Sequence, residues 1–298
     1  MEYEKKYDDF TLDWSKPILV CITGASRGIG RQIAVDFASR CNPASKFILL
    51  ARDVKALEET KSLLVQANSS LPSSNVTVIN NDLANPGITP FNDTLDHVLS
   101  DINMDEFNSA YLVHNAGTVG NLKEAVSLDD PQEWRKHFDI NFVSATLLTS
   151  AFVTKLRRRI KRLVLVNITS LCGRLPFKDM AMYGTMKAAR DQYFRVVALE
   201  NPTPIVTVLN YSPGPVDTDM YNSVAENASN AEVRKMFTDG KANILTTKQT
   251  VSKFIEILLK DDYESGTTID YFDAEWELRK TCLETVKNVP PFSQQIKE

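Results

Sequence analysis

Short apolar, β-branched runs recur along the chain at residues 18–23 (ILVCIT), 47–51 (FILLA), 76–80 (VTVIN), 110–114 (AYLVH), 163–168 (LVLVNI), 205–211 (IVTVLNY) and 268–272 (TIDYF). The first five lack a regular inward–outward alternation. That pattern suits strands buried on both faces, as in a parallel sheet covered by helices on each side. Helical periodicity fills the gaps. Residues 30–40 place Ile33, Ala34, Phe37 and Ala38 on one face, and residues 53–67 do the same with Leu57, Leu63 and Leu64. Strand and helix alternate with a period of ~30 residues, which predicts an α/β fold with a doubly wound, seven-stranded parallel sheet. Residues 17–273 contain no Pro/Gly/Ser-rich linker and read as one domain. Residues 1–16 form an N-terminal tail and 274–298 a C-terminal extension. In the extension, Leu278, Cys282 and Val286 suit one face of an amphipathic helix. The Ser/Asn-rich stretches at 68–75 and 221–230 read as loops.

Composition narrows the class. The 298 residues are 43% hydrophobic and 24% charged, values typical of a globular protein rather than a disordered or fibrous one. A net charge of −4 lacks the basic excess of a nucleic-acid binder. The basic run at 155–162 (KLRRRIKR) lies at a predicted helix end, where cations suit the helix dipole. No apolar run approaches a membrane span of ~18 residues. The opening decamer MEYEKKYDDF is polar and is no secretory signal. Cys21, Cys41, Cys172 and Cys282 have neither CxxC nor zinc spacing, which predicts reduced thiols and a cytoplasmic protein without a metal site.

The first strand runs into Thr23-Gly24-Ala25-Ser26-Arg27-Gly28-Ile29-Gly30 and then into a helix. Glycines there let backbone approach a pyrophosphate, and the helix N-terminus offers free N–H groups and the positive end of its dipole. Gly24, Ser26, Arg27, Gly28, Ile29 and Gly30 are therefore the candidate cradle of a dinucleotide. Arg52 follows the second strand, where an acidic residue would bind the ribose hydroxyls of NAD. With Arg27 it suits a 2′-phosphate and favours NADPH/NADP+. Asp53 is placed to cap the next helix.

Tyr183 and Lys187 lie one helical turn apart on a common face, and Ser170 follows the fifth strand, at the edge where ligands bind in such sheets. A lysine ammonium near a phenol should lower its pKa and make it a usable proton donor.

TGASRGIG, His114-Asn115-Ala116-Gly117 and Tyr183-x-x-x-Lys187 within one α/β chain resemble the short-chain dehydrogenase/reductase family over residues 17–273. The resemblance implies a Rossmann-type fold and a catalytic set of Asn141, Ser170, Tyr183 and Lys187. It implies cofactor contacts from Asp82 and Leu83, from Asn115, Ala116 and Gly117, and from Pro213, Gly214, Val216 and Thr218. His114 replaces the first Asn of the family's NNAG segment. The family commonly forms homodimers, through helices equivalent to residues ~141–158 and ~183–199. Within it, SLC after the serine, PFK, KAARD and YSPGPVDTDM resemble the branch that reduces side-chain ketones of pterins in tetrahydrobiopterin synthesis. That likeness implies a carboxylate on the last strand, Asp270 or its neighbour Asp273, accepting from the pterin ring. It implies a substrate wall from Ser170, Leu171, Cys172, Tyr183, Phe177, Met180 and Met220. Met180 stands where that branch has a tryptophan. The alternatives are a reductase of diketones or other non-pterin carbonyls, and a non-catalytic NADPH-binding protein.

Overall fold

The computed structural model describes residues 12–100, 102–201 and 204–273. Each apolar run is a strand: β1 (Ile18–Thr23), β2 (Lys46–Ala51), β3 (Val76–Asn80), β4 (Ser109–His114), β5 (Arg162–Ile168), β6 (Val206–Ser212) and β7 (Thr268–Asp270). All pair in parallel, in the order β3-β2-β1-β4-β5-β6-β7. The order reverses between β1 and β4, which opens a crevice beyond their carboxyl ends.

The missing alternation has a simple cause. Ile18, Val20 and Ile22 of β1 enter one apolar layer, while Leu19 and Cys21 enter another. The first layer is closed by α1 (Gly28–Ala38), α2 (Val54–Ala67) and α9 (Thr247–Lys260). The second is closed by α3 (Ile88–Leu99), α5 (Ser144–Leu156) and α6 (Ala181–Glu200). Both faces of the central strands are covered, so their interiors are mostly apolar on both sides. Asp53 caps α2 by accepting from the Ala56 N–H at 3.0 Å.

Three expectations need correction. Leu63 is exposed, and α2 instead buries Leu57, Thr60 and Leu64. Thr60 belongs inside because its hydroxyl donates to the Ala25 and Ala56 carbonyls. Residues 221–230 are largely helical, in α7 (Asp219–Asn227), followed by α8 (Ala231–Gly240). Thr218 caps α7 through the Tyr221 N–H, and buried Tyr221 and Val224 outweigh the polar composition. The core also extends before residue 17. Trp14 is only 6% exposed, stacks on Phe37 at 4.5 Å and donates from Nε1 to the Tyr111 hydroxyl at 2.7 Å. The rest of the N-terminal tail and the whole C-terminal extension, with its expected helix, lie outside the described residues.

Between α4 (Pro131–Phe138) and α5 the chain makes a π-helical turn, Asp139–Val143, with Asn141 buried at its centre. Such turns interrupt a helix where a side chain must be re-aimed. Among the described residues no helix is long and apolar enough to cross a membrane, and no His/Cys/Asp/Glu group is arranged to hold a metal ion.

Candidate active site

A cleft of ≈ 1570 Å³ lies along the carboxyl edge of the sheet. Its floor is the turn after β1 and the segments after β4, β5 and β6. Its outer wall is α7, α8 and a small apolar cluster containing Val119, Met180, Tyr183, Val224 and Val233. Nearly every residue singled out in the sequence lines it, although they derive from segments far apart in the chain. Gly30 and Asn141 stand behind the wall, and Asp273 lies outside it.

The turn after β1 is built for an anion. Gly24 and Gly28 adopt left-handed φ values of 68° and 56°. Arg27, the N-cap of α1, is extended and supplies no side-chain cap, so protein side chains leave the first-turn N–H groups to the cleft. Gly30 serves this turn indirectly: a β-carbon there would collide with the Gly24 carbonyl and the Asn115 amide. Asn115 pins the turn, donating from Nδ2 to the carbonyls of Thr23 (3.2 Å) and Gly24 (3.0 Å). Thr23 Oγ1 in turn accepts from the backbone N–H groups of Asn115 and Ala116, each at 3.1 Å. Arg52 and Asp82 line the same end, and Arg27 reaches across the mouth to Asp219 at 2.6 Å.

The catalytic candidates meet because two backbones pack closely. A β-carbon on Gly184 would lie 2.7 Å from the Cys172 carbonyl, and one on Gly173 would lie 3.0 Å from the Ala188 nitrogen. Only glycine lets the turn after β5 sit so close to α6. This brings Ser170, which accepts from the Cys172 N–H at 3.2 Å, alongside Tyr183. Lys187 Nζ donates to the Ile168 carbonyl at 2.7 Å and lies 5.4 Å from the centre of the Tyr183 ring. Asn141 Oδ1 accepts from the Thr118 N–H at 2.9 Å, and its Nδ2 donates to the His137 carbonyl at 3.0 Å.

The electrostatics depart from the simple expectation. Burial is the largest influence on Tyr183 and pushes its phenol above the ordinary range, against smaller lowering contributions from Ser170 and Arg190. Burial likewise holds Lys187 well below its ordinary value, with Arg190 acting in the same sense. Lys187 donates to a backbone carbonyl, and it is not among the groups that shift the phenol in this arrangement. Tyr183 is thereby kept protonated, the form that donates.

The far end of the cleft holds Asp270. Its Oδ2 accepts from Ser212 Oγ at 2.6 Å and from Arg174 Nη2 at 3.0 Å, and its Oδ1 accepts from the Phe272 N–H at 3.1 Å. Asp273 turns back to accept from the Asp270 N–H at 2.7 Å. Of the two, Asp270 lines the cleft, and Asp273 holds its backbone N–H. Leu171, Cys172, Phe177, Met180 and Met220 line the space between Asp270 and Tyr183, with Cys172 Sγ 3.5 Å from Met180 Sδ.

Three residues here were given no role from the sequence. Arg174 lies 96 positions from its partner Asp270. His137 lines the cleft beside Asn141 and is pushed down to about 4, chiefly by burial. Arg190 is 1% exposed and grips the segment after β4. Its signal was its spacing from Lys187, three residues on along the same helix.

Comparison with known proteins bears on this arrangement. The family model described as short chain dehydrogenase matches residues 19–229. The chain is 34% identical over 262 residues to sepiapterin reductase of Bos taurus, covering 86% of this chain and 94% of that one. It is 29% identical over 206 residues to the benzil reductase ((S)-benzoin forming) of Bacillus subtilis, covering 68% and 76%. Among solved structures, a short chain dehydrogenase from Shigella flexneri complexed with NADP superposes with a TM-score of 0.69 at 22% identity, over 88% of this chain and 98% of that one.

Proposed function

This chain belongs to the short-chain dehydrogenase family, and on that premise we propose that it is an NADPH-dependent carbonyl reductase acting on the side-chain ketone of a pterin, a sepiapterin reductase. The observation that carries the reading is one cleft with Ser170, Tyr183 and Lys187 on one wall and the buried carboxylate Asp270 at its far end. The likeness to sepiapterin reductases over 86% of the chain supports it.

The cradle fits a dinucleotide phosphate, since its N–H groups have no side-chain cap and its glycines admit close approach. Gly24, Ser26, Arg27, Gly28 and Ile29 would hold the phosphates, with Asp82 and Leu83 at the adenine and Asn115 to Gly117, Pro213, Gly214, Val216 and Thr218 along the rest. When bound, NADPH supplies the hydride. Ser170 Oγ orients the substrate carbonyl by hydrogen bonding its oxygen. Tyr183 Oη holds the proton that this oxygen takes up as charge develops on it. Lys187 and Asn141 keep the tyrosine wall in place. Asp270 accepts from the paired N–H donors of the pterin edge, and Met180 and Phe177 pack on its ring.

Asp270→Ala is expected to raise KM for sepiapterin by about 10-fold or more, the scale of a charge-assisted hydrogen bond lost, with little change for a small diketone. Steady-state kinetics on both substrates checks this, and equal effects would remove Asp270 from the pterin site. Arg52→Glu is expected to lower kcat/KM for NADPH by about 10-fold while improving NADH, since the exchange repels a 2′-phosphate and accepts ribose hydroxyls. Unchanged preference between the two cofactors would place the phosphate elsewhere.

A diketone reductase is the second reading. It is favoured by the contact between Asp270 and Arg174, which occupies a carboxylate oxygen, and by the likeness to the benzil reductase. The ratio of kcat/KM for sepiapterin to that for benzil decides between them. We further read the unit as a homodimer joined through α5 and α6, where Val196 and Leu199 stay exposed. Free thiols at Cys21, Cys41 and Cys172 suit the reducing cytoplasm.

A further inference from the structure

We infer that Arg190 is a positioning residue of the catalytic site: its guanidinium clamps α6 to the segment after β4 and holds a fixed positive charge beside Tyr183 and Lys187. The inference rests on the reading of those two residues as the catalytic pair.

The geometry is that of a fork. Nη2 donates to the His114 carbonyl at 2.8 Å and Nη1 to the Ala116 carbonyl at 3.2 Å. These carbonyls flank Asn115, whose amide pins the phosphate turn through Thr23 and Gly24. One residue further on, a β-carbon on Gly117 would lie 2.9 Å from Asn141 Oδ1 and 3.9 Å from Lys187 Nζ. A single strip of backbone thus touches the cofactor cradle at one end and the proton-handling groups at the other. Arg190 holds it at the middle. A planar guanidinium spans two carbonyls in this way, and a lysine makes only a point contact.

Burying a guanidinium is costly, and a mere clamp does not need a charge. Buried Asp191 follows Arg190 in α6 and opposes its charge; burial pushes the Asp191 carboxyl up against the pull of Lys187 and Arg190, and its Oδ1 accepts from Asn167 Nδ2 at 2.9 Å. The titratable and charged groups around the pair are Cys172 from the turn after β5, His137 from α4, and Arg190 and Asp191 from α6, with His114 of β4 against Arg190. His114 is buried, bonded to Thr149 Oγ1 at 2.8 Å, and held well below its ordinary value by burial and then by Arg190. It is therefore neutral, as is the Cys172 thiol, whose pKa burial raises. The permanent charge facing the pair is that of Arg190, opposed by Asp191. A cation there favours the phenolate of Tyr183 and disfavours the ammonium of Lys187.

Alcohol oxidation needs the deprotonated tyrosine, so its rate climbs with pH through the tyrosine's pKa. Removing the cation raises that pKa and moves the climbing limb to higher pH. The test is the pH profile of NADP+ reduction with the alcohol formed from sepiapterin, together with KM for NADP+. In Arg190→Gln the limb should move up by about one pH unit, a tenfold loss of rate at a pH on the limb, and KM for NADP+ should rise severalfold. Arg190→Lys should keep the limb and lose only the KM component. Asp191→Asn, which removes the opposing charge, should move the limb down, and it serves if Arg190→Gln does not fold. A limb unmoved in Arg190→Gln, or unmoved or raised in Asp191→Asn, overturns the electrostatic role. Retention of reduction by Tyr183→Phe would instead overturn the assignment of the pair itself.

Discussion

Tyr183→Phe is expected to lower kcat for ketone reduction by about 10²–10⁴-fold, the contribution of a positioned general acid, while NADPH affinity stays unchanged. The substitution removes one oxygen from a ring that stays in place: Tyr183 packs with Met180, Val119 and Val224 in the cluster under α7. The phosphate turn, Arg52 and Asp82 sit at the other end of the cleft and do not sense the loss. Isothermal titration with NADPH alongside steady-state kinetics separates the two effects, and a parallel collapse of cofactor binding would contradict the division of roles. The wild-type pH profile carries the same signature. Because burial raises the phenol, the protonated donor persists across neutral pH. Reduction should hold level through that range and fall only on the alkaline side, whereas alcohol oxidation should rise with pH. A reduction rate that declined steadily from pH 6 to 8 would assign the proton to another group.

Trp14→Ala is expected to destabilise the fold by about 3–5 kcal/mol, the cost of truncating a buried tryptophan. At roughly 2–4 °C per kcal/mol for a domain of this size, that lowers Tm by on the order of 10 °C. Three losses combine. The indole leaves a gap against Phe37 and Tyr111, which it meets at 4.5 and 5.8 Å. Its N–H abandons the Tyr111 hydroxyl, leaving that hydroxyl the 3.3 Å contact with Ser109 Oγ. The aromatic step from α1 to β4 also loses its outer member. Trp14→Phe should recover most of the packing component and lose only the hydrogen bond. Thermal unfolding of the variants checks this, and a shift within a degree or two for Trp14→Ala would make residues before β1 a dispensable tail.

The strands were legible because a strand covered on both faces carries apolar residues at successive positions, and the cradle because glycine placement after the first strand is a local property. Tyr183 and Lys187 were legible because a helix converts a spacing of four into adjacency. What escaped depends on partners far away in the chain. The polar stretch at 221–230 folds into α7 because Val224 and Tyr221 find an apolar roof, which composition does not record. Trp14 reads as part of an acidic tail until Phe37 and Tyr111 are placed beside it. Arg190 stands in the KAARD motif, but its role is not legible until two carbonyls from β4 and the following turn converge on it. Asp270 is the match by position with Asp273 a near competitor, and their places, Asp270 lining the cleft and Asp273 turned back onto its backbone, separate them.

The strand order has a kinetic consequence. Sheet neighbours β1 and β4 are joined through β2 and β3, so their pairing closes a loop of more than eighty residues, Thr23 meeting His114. The edge pair places Ser212 against Asp270, which are 58 positions apart. Loops of that size form late, and folds dominated by such pairings acquire their shape slowly. The cradle and the tyrosine helix are local and can form early, but the crevice between them exists only once β1 and β4 have met. The complete cleft is therefore among the last features acquired on folding, and a nascent polypeptide that has emerged only as far as α6 contains Asn141, Ser170, Tyr183 and Lys187 but not Asp270 of β7.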